Sequence, residues 1–164
     1  MNGQLSEKGR LNYDVLKDLN KLPFYKKAAP KSLGLEWVID TVFPIIDSYD
    51  IDIPSIITTF IEHVAIQIGS VTNPNTSLLI TGGGVFNPTL IKRMKHHCRC
   101  DFEIPSEKLI NFKEALIFAF LGVLKHENKV NCLGSVTGAL HDHSSGKIYH
   151  PFVENERRDD FTVN

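Results

Sequence analysis

Residues 78–88 read LLITGGGVFNP, a short apolar run that ends in three glycines and a helix-start signal. An apolar run of this length, bounded by glycine, is typical of a buried strand in a parallel sheet. Asn87 and Pro88 suit the cap and the first position of a helix, which we expect to run to about His97. A second short strand fits residues 101–104. Together these elements form a βαβ crossover, so we predict an α/β fold with a parallel pair of strands.

Apolar periodicity predicts further helices around this unit. A long helix over residues 53–70 carries a wide apolar stripe and should pack beside the strand pair. The helix predicted for residues 111–127 is apolar nearly all round, so we expect other elements to bury it. Two more helices fit residues 12–22 and 35–46. Residues 1–10 are polar, and we expect them to be a loose lead-in to this small parallel or mixed sheet with several packed helices.

The composition excludes several classes of function. The 164 residues are 42% hydrophobic and 23% charged, and 18 Lys and Arg against 19 Asp and Glu give a net charge of −1. This balance gives no electrostatic reason to expect nucleic acid or an anionic membrane as a partner. The longest apolar run, residues 115–124, is shorter than the roughly 20 residues of a membrane span. With three cysteines and no signal-peptide pattern, the sequence predicts a cytoplasmic protein.

The glycine turn is the candidate nucleotide site, with Thr81, Gly82, Gly83, Gly84 and Asn87 as the binding residues. Glycines at the carboxyl end of a strand allow positive φ angles and let a ligand come close to the backbone. The amino end of the following helix would offer free N–H groups to an anion. The turn matches neither the dinucleotide fingerprint nor the phosphate loop. The residues alone therefore fit a nucleotide site and a tight turn without a ligand equally well.

Four ordered segments between about residues 23 and 150 resemble the C-terminal half of anhydro-N-acetylmuramic acid kinases. They are Thr81-Gly82-Gly83-Gly84-Val85-Phe86-Asn87-Pro88 with Leu90-Ile91, Pro30-Lys31-Ser32-Leu33-Gly34 with Glu36, Lys113-Glu114-Ala115 with Phe118-Ala119, and Thr137-Gly138-Ala139. Four motifs in the same order are far more specific than any one of them.

This resemblance implies one lobe of an actin-like (ribonuclease H-like) ATPase fold. The family is a group of bacterial sugar kinases that use ATP and Mg²⁺. They open 1,6-anhydro-N-acetylmuramic acid and phosphorylate it at O6 during cell-wall recycling. By resemblance, ATP would bind at the glycine turn, and Glu114 would lie at the cleft between the lobes, near the amino sugar. Lys31 is a further candidate for binding the substrate.

Two family motifs do not occur in the 164 residues: the phosphate loop G-x-[MT]-SGTS-x-DG and the segment F-D-T-G-P that carries the catalytic aspartate. The resemblance thus implies that residues 1–154 are a single C-terminal lobe without its N-terminal lobe, followed by a polar, frayed tail over residues 155–164. We expect no catalytic residue in this chain and no turnover from it alone. The missing lobe would be its partner. Because an isolated lobe exposes the surface that its partner covers, self-association as a homodimer is also expected.

Each candidate residue has a structural alternative. Glu114 fits an acid in the first turn of a helix, favoured by the helix dipole or paired with Lys113. Lys31 precedes Ser32, which with Glu36 fits a capping box. A group of cysteines and histidines lacks the spacing of a zinc site, so we predict packing and helix-end roles and no metal. The group is Cys98, Cys100, His96, His97, His141 and His143.

Two functions of other classes remain open beside the enzyme lobe. The chain fits a non-catalytic nucleotide-binding or regulatory module that kept the fold and lost the chemistry. It also fits a purely structural fragment that binds nothing alone. The absence of the phosphate loop keeps both alternatives open.

Overall fold

The structure, a computed structural model, describes residues 3–28 and 31–149. The chain forms two compact units that divide between Asn111 and Phe112. The organisation of residues 1–154 as one lobe stays a prediction. Pro30 and the tail at 155–164 lie outside the described residues.

The helices in chain order are α1 (Tyr13–Asn20), α2 (Leu35–Trp37), α3 (Phe43–Asp47), α4 (Ile53–Val71), α5 (Pro88–His97), α6 (Glu107–His126) and α7 (Gly134–Thr137). The strands are β1 (Ser77–Leu79) and β2 (Asp101–Glu103). Short 3₁₀ turns lie at Pro23–Lys26 and Gly83–Phe86, and a π-helical segment lies at Val38–Val42. None of the described helices combines the length and apolarity that a membrane span needs.

The predicted βαβ unit is confirmed. The two strands are parallel, Leu78 lies opposite Phe102, and α5 joins them. The long helix α4 packs against α5. A buried cluster of Ala65, Met94 and Cys98 holds the helices together, and the side chains of Leu78 and Phe102 pack on it from the sheet. The sheet is therefore covered by α4 and α5 on one face, and this packing fixes the end of β1, where the glycine turn begins.

A second core lies among the helices before α4. Its buried residues are Val15, Leu19, Leu22, Val42 and Ile46. The helix predicted for residues 35–46 is divided at this core by the π-helical segment. Pro44 has no N–H group and crowds the carbonyl four residues earlier, so regular α-helical bonding fails there. The N–H of Phe43 instead bonds the Val38 carbonyl, five residues back.

The N-terminal residues are not the loose lead-in that their polarity suggests. Residues 3–12, which we call the N-terminal strap, lie along α4, and Ser6 is buried. Three hydroxyls of α4 bond the strap backbone: Thr58 Oγ1 donates to the Ser6 carbonyl (2.8 Å), Ser55 Oγ accepts from the Arg10 N–H (2.9 Å), and Thr59 Oγ1 accepts from the Asn12 N–H (3.0 Å). A Cβ at Gly9 would collide with the Pro54 carbonyl. The helix thus buries a polar stripe as well as the predicted apolar one, since the hydroxyls satisfy strap groups that would otherwise be lost from water.

His63 is a titratable group inside this part of the fold, with only 1% of its surface exposed. Its Nδ1 lies 2.7 Å from the Asn20 side-chain oxygen and its Nε2 2.9 Å from the Tyr25 hydroxyl. Because the Asn20 oxygen can only accept, Nδ1 carries the proton, and Nε2 of the neutral ring accepts from Tyr25. Burial lowers the pKa of His63 from 6.5 to about 4.

We expect stability to fall as the pH drops from 6.5 toward 4. In this pH range His63 binds a proton in the unfolded chain but stays neutral in the folded chain. Acid therefore favours unfolding. A pKa difference of this size corresponds to roughly 3 kcal/mol lost from the free energy of unfolding. Urea unfolding at pH 7.0, 6.0, 5.0 and 4.5 measures this loss. Hydrogen bonds from Tyr49 and Ser55 lower the pKa values of Asp18 and Asp52 from 3.8, so these two carboxylates add to the loss only at the acid end of this range.

The control is the exposed His126. His126→Gln should keep the acid-dependent loss, whereas His63→Gln should remove most of it. Should His63→Gln be too unstable to measure, an NMR titration of the unmodified chain decides, since the His63 ring should stay neutral down to about pH 4. A His63 ring that becomes protonated near pH 6.5 would contradict the prediction.

The helix α6 is not buried as its composition predicts. It begins at Glu107, four residues earlier than expected, where the Ser106 hydroxyl accepts from the Leu109 N–H (3.3 Å). Most of its apolar side chains are exposed, Phe118 by 68%, although Ile110 near the start of the helix is buried. The other described parts of unit 2 are the four-residue α7 and a bridge between Cys132 and His143, which are too small to cover it. The apolar content of a helix indicates that it needs a covering element, but it does not indicate which element covers it.

Candidate nucleotide-binding turn

The glycine turn follows β1 at the open end of the βαβ unit. Gly82 has φ +85° and ψ 173°, a conformation that only glycine adopts without strain. A 3₁₀ turn over Gly83–Phe86 then carries the chain to α5. Of the three glycines, only Gly82 needs its positive φ, so the other two must be explained by space rather than by backbone conformation.

Open space lies in front of the turn. Among the described residues, a Cβ added at Gly82 or Gly83 would meet no atom within 4 Å, and one at Gly84 would meet only the Leu90 side chain at 3.5 Å. Gly83 and Gly84 are exposed, and Thr81 and Gly82 are half-buried. The backbone at Gly82 and Gly83 is therefore accessible on the side that side chains would otherwise occupy. A planar or sugar group can come into direct contact with it there.

Asn87 caps α5 as predicted, and its side-chain oxygen is engaged in the capping hydrogen bonds. Its Oδ1 accepts from the Thr89 N–H (3.1 Å) and the Leu90 N–H (3.3 Å). The two N–H groups that were expected to face an anion are thus already bonded. A Cβ at Gly3 of the strap would collide with the Asn87 side chain. Asn87 therefore shapes the turn, while the glycine backbone remains the part that a ligand can reach.

A buried ion-pair network holds α5, and with it the turn, against α4. Glu62 of α4 is buried, and its Oε1 lies 2.7 Å from His97 Nε2. Its Oε2 lies 3.2 Å from Arg93 Nε. The sequence analysis missed this network. One signal in the sequence could have indicated it. Glu62 lies among apolar residues of the predicted helix, between Ile61 and Ala65, which are both buried, and a buried acid needs a charged or polar partner.

The Lys31 side chain is exposed, but its ammonium has partners near an aromatic ring. Its Nζ donates to the carbonyls of Phe24 (3.4 Å) and Tyr25 (3.2 Å). The same ammonium stands 5.1 Å from the centre of the Phe24 ring, a cation–π contact. The alternative capping box with Ser32 is wrong, because α2 begins after Gly34 and receives no side-chain cap.

Glu114 lies in the interior of α6, seven residues after the helix begins, and its side chain is exposed. The alternative of an acid in the first helical turn is therefore wrong, since the helix begins at Glu107. Glu114 belongs to unit 2, and the glycine turn belongs to unit 1.

Two of the cysteines and histidines that were considered for a metal site have other roles. Cys98 is buried in the core of α4 and α5, and burial raises the pKa of its thiol. His97 bonds Glu62 as described. Over residues 3–28 and 31–149, no group of three or more His, Cys, Asp or Glu side chains is placed to hold a metal ion.

Comparison with known proteins shows which family this chain resembles. The family model described as "Anhydro-N-acetylmuramic acid kinase" matches residues 1–151. A curated anhydro-N-acetylmuramic acid kinase of Saccharophagus degradans is 30% identical over 158 residues, which cover 91% of this chain and 43% of that protein. Proteins of the same name from Hydrogenovibrio crunogenus and Idiomarina loihiensis are 27% and 31% identical to this chain. Each of these two matches covers 91% of this chain and 43% of the relative. The chain thus spans about two fifths of the length of these relatives.

Proposed function

Because this chain belongs to the anhydro-N-acetylmuramic acid kinase family, we propose that it is the C-terminal, ATP-binding part of a cytoplasmic sugar kinase. With the rest of the family polypeptide it would use ATP and Mg²⁺ to open 1,6-anhydro-N-acetylmuramic acid and phosphorylate it at O6. In this proposal the backbone of Thr81, Gly82, Gly83 and Gly84 receives the adenosine, and Asn87 holds the turn in shape.

One observation carries the proposal: a bare glycine backbone at the carboxyl end of a parallel strand. Ligands of open α/β sheets collect at this end. The space in front of Gly82 and Gly83 admits a flat ligand to the peptide groups, and a Cβ at either position would enter that space. A turn that only reversed the chain would need glycine at Gly82, where φ is positive, but not at Gly83.

The same geometry limits what the chain does alone. Phosphoryl transfer depends on groups that position the phosphates and neutralise their charge, together with a base near the attacking hydroxyl. The N–H groups of Thr89 and Leu90 are occupied by Asn87, so they do not form a phosphate cradle. The described residues also bring together no metal-binding cluster, and we assign Mg²⁺ to no residue of this chain. These parts would come from the remaining family polypeptide.

Glu114 and Lys31 are proposed to contact the sugar. The exposed Glu114 carboxylate is available to accept hydrogen bonds from sugar hydroxyls. Lys31 would have to leave the carbonyls of Phe24 and Tyr25 to do the same. The structure therefore favours Glu114 as the stronger candidate of the two.

Calorimetric titration of the 164-residue chain tests the proposal. If the turn contacts adenosine and offers no phosphate cradle, ATP should bind weakly, and adenosine should bind nearly as well as ATP. Tripolyphosphate, which has the phosphates without the nucleoside, should give no signal. Binding of tripolyphosphate without adenosine would contradict the assignment of the turn. A lack of binding by all three would favour a purely structural fragment.

A further inference from the structure

A cavity of about 480 Å³ opens between the N-terminal strap, α4 and the first residues of α5. Three charged side chains line it: Glu7 from the strap, and Lys92 and Arg93 from α5. Its volume lies in the range of small-molecule sites. Residues 81–87 of the glycine turn do not line it, so this cavity, which we call the strap cavity, is separate from the proposed nucleotide site.

The charges that line the strap cavity are not paired across it. In the part of the chain that the structure describes, the side chains of Glu7 and Lys92 form no ion pair or hydrogen bond, and both are exposed. Arg93 is paired with Glu62 and not with Glu7. Opposite charges therefore line one cavity with open space between them. A ligand that carries both an anionic group and hydrogen-bond donors would satisfy all of them.

The guanidinium of Arg93 is held in place by a buried partner. Its Nε lies 3.2 Å from Oε2 of Glu62, and Glu62 is buried. This contact uses one nitrogen of the guanidinium, and the terminal Nη groups have no partner among residues 3–28 and 31–149. Arg93 therefore has ordered donors to spare, in the fork geometry that suits a phosphate.

The strap wall of the cavity is fixed as well. Ser6 is buried, and its carbonyl accepts from the Thr58 hydroxyl (2.8 Å). Gly9 lies so close to the Pro54 carbonyl that a Cβ there would collide with it. Since both walls are held before a ligand arrives, binding would order few groups and would lose little conformational entropy.

The side chains of the strap cavity select a kind of ligand. Ammonium and guanidinium groups bind phosphate through charge-assisted hydrogen bonds, and a carboxylate accepts from hydroxyl groups. A bare anion would be repelled by Glu7, whereas a neutral sugar would leave Lys92 and Arg93 without a partner. Thr89 also lines the cavity, and its hydroxyl can donate or accept. The lining therefore fits a molecule that carries a phosphate together with several hydroxyls.

We propose that the strap cavity binds a phosphosugar, with its phosphate at Lys92 and Arg93 and its hydroxyls at Glu7. The inference goes beyond the proposed function, which enters only in that the product of such a kinase is itself a phosphosugar. The charges of the lining carry the assignment. The chain would then hold a phosphosugar between the strap and the start of α5, outside the nucleotide turn.

Calorimetric titration of the 164-residue chain without nucleotide tests this site. The probes are glucose 6-phosphate, inorganic phosphate and glucose, which separate the phosphate from the hydroxyls. Glucose 6-phosphate should bind at least about tenfold more tightly than either of the others, because only it can pair with all three charged groups. Equal binding of inorganic phosphate, or no binding of glucose 6-phosphate, would overturn the proposal. Since ATP is absent, the strap cavity and the nucleotide site can fail separately.

A pair of lysine variants locates the binding. Lys92→Gln should weaken glucose 6-phosphate binding by about tenfold or more, because it removes a charge-assisted hydrogen bond to the phosphate. Lys95→Gln is the matched control, since Lys95 is an exposed lysine of the same helix that does not line the strap cavity. It should stay within about twofold of the unchanged chain. An equal loss in both variants would indicate general attraction to the helix and would contradict the assignment.

Glu7→Gln separates a phosphosugar from a bare anion. It should weaken glucose 6-phosphate binding by about threefold or more, since the hydroxyls lose a charged acceptor, and strengthen inorganic phosphate binding, since a like charge is removed. Because Glu7 is exposed, thermal unfolding should hardly change. Arg93 is kept in every variant, because it balances the buried Glu62 charge. Stronger binding of both ligands to Glu7→Gln would show that Glu7 meets no hydroxyl and would overturn the proposal.

Discussion

The 164-residue chain alone should transfer no phosphate from ATP to 1,6-anhydro-N-acetylmuramic acid, and a fusion with the remaining family polypeptide should do so. The sequence does not contain the phosphate-loop and catalytic-aspartate motifs that the resemblance implies for a complete enzyme, and the N–H groups of Thr89 and Leu90 in α5 are bonded to Asn87. The measurement is the transfer of labelled phosphate to the sugar. Turnover by the chain alone would show that its active site is complete.

In the active fusion, Glu114→Gln should lower the rate by about tenfold to a hundredfold. The change removes a charge-assisted hydrogen bond to the sugar, for which roughly 1.5–3 kcal/mol is typical. Because Glu114 is exposed, the free energy of unfolding should hardly change. Glu107→Gln, an exposed acid on the same helix, is the matched control and should retain full activity. Full activity in the Glu114→Gln fusion would remove this residue from the site.

The second large effect is expected at the turn. Gly83→Val should abolish adenosine and ATP binding to the chain and leave its thermal unfolding unchanged. Gly83 has no positive φ, and a Cβ there would meet no atom within 4 Å in the part of the chain that the structure describes. Valine should therefore cost the fold little and fill only the space of the ligand. Calorimetry measures the binding, and a thermal melt measures the stability.

Two matched variants make this result specific. Gly82→Val should lose both binding and stability, because valine at φ +85° is strained by about 1–2 kcal/mol or more. Gly122→Val, where a Cβ also meets no neighbour, lies outside the turn and should leave binding unchanged. Unchanged binding in Gly83→Val would exclude the turn as the nucleotide site.

The parts of this fold that local sequence determines were predictable. Leu78 and Ile80 before three glycines, with Asn87 and Pro88 after them, are sufficient for the parallel βαβ unit. Asn12 and Asp52 stand where α1 and α4 are capped. The openness of the turn was not predictable in this way, because the sequence fits a ligand site and a tight turn equally well. The structure alone shows that Gly83 has no positive φ and that a Cβ there would meet no atom of the described residues within 4 Å.

The rest depends on which distant groups meet, and one sequence does not contain that information. Ser55, Thr58 and Thr59 look like the solvent face of α4, but their hydroxyls bond the strap. Lys31 looks free, but two carbonyls and an aromatic ring hold it. In α6 the error was opposite: apolar residues nearly all round the helix indicated burial, but nothing in the described part of unit 2 is large enough to provide it.

The strap along α4 has a consequence for synthesis on the ribosome. Translation delivers the strap before α4, and the hydrogen-bonding partners of the strap on α4 follow 45 to 52 residues later. Until α4 emerges and folds, the Ser6 carbonyl and the Arg10 N–H have only water to bond. Contacts this distant along the chain form late, because the intervening segment must first be ordered. The strap residues thus reach their native place only after α4 has been synthesised and folded, and a nascent chain that pauses before α4 exposes them to proteases.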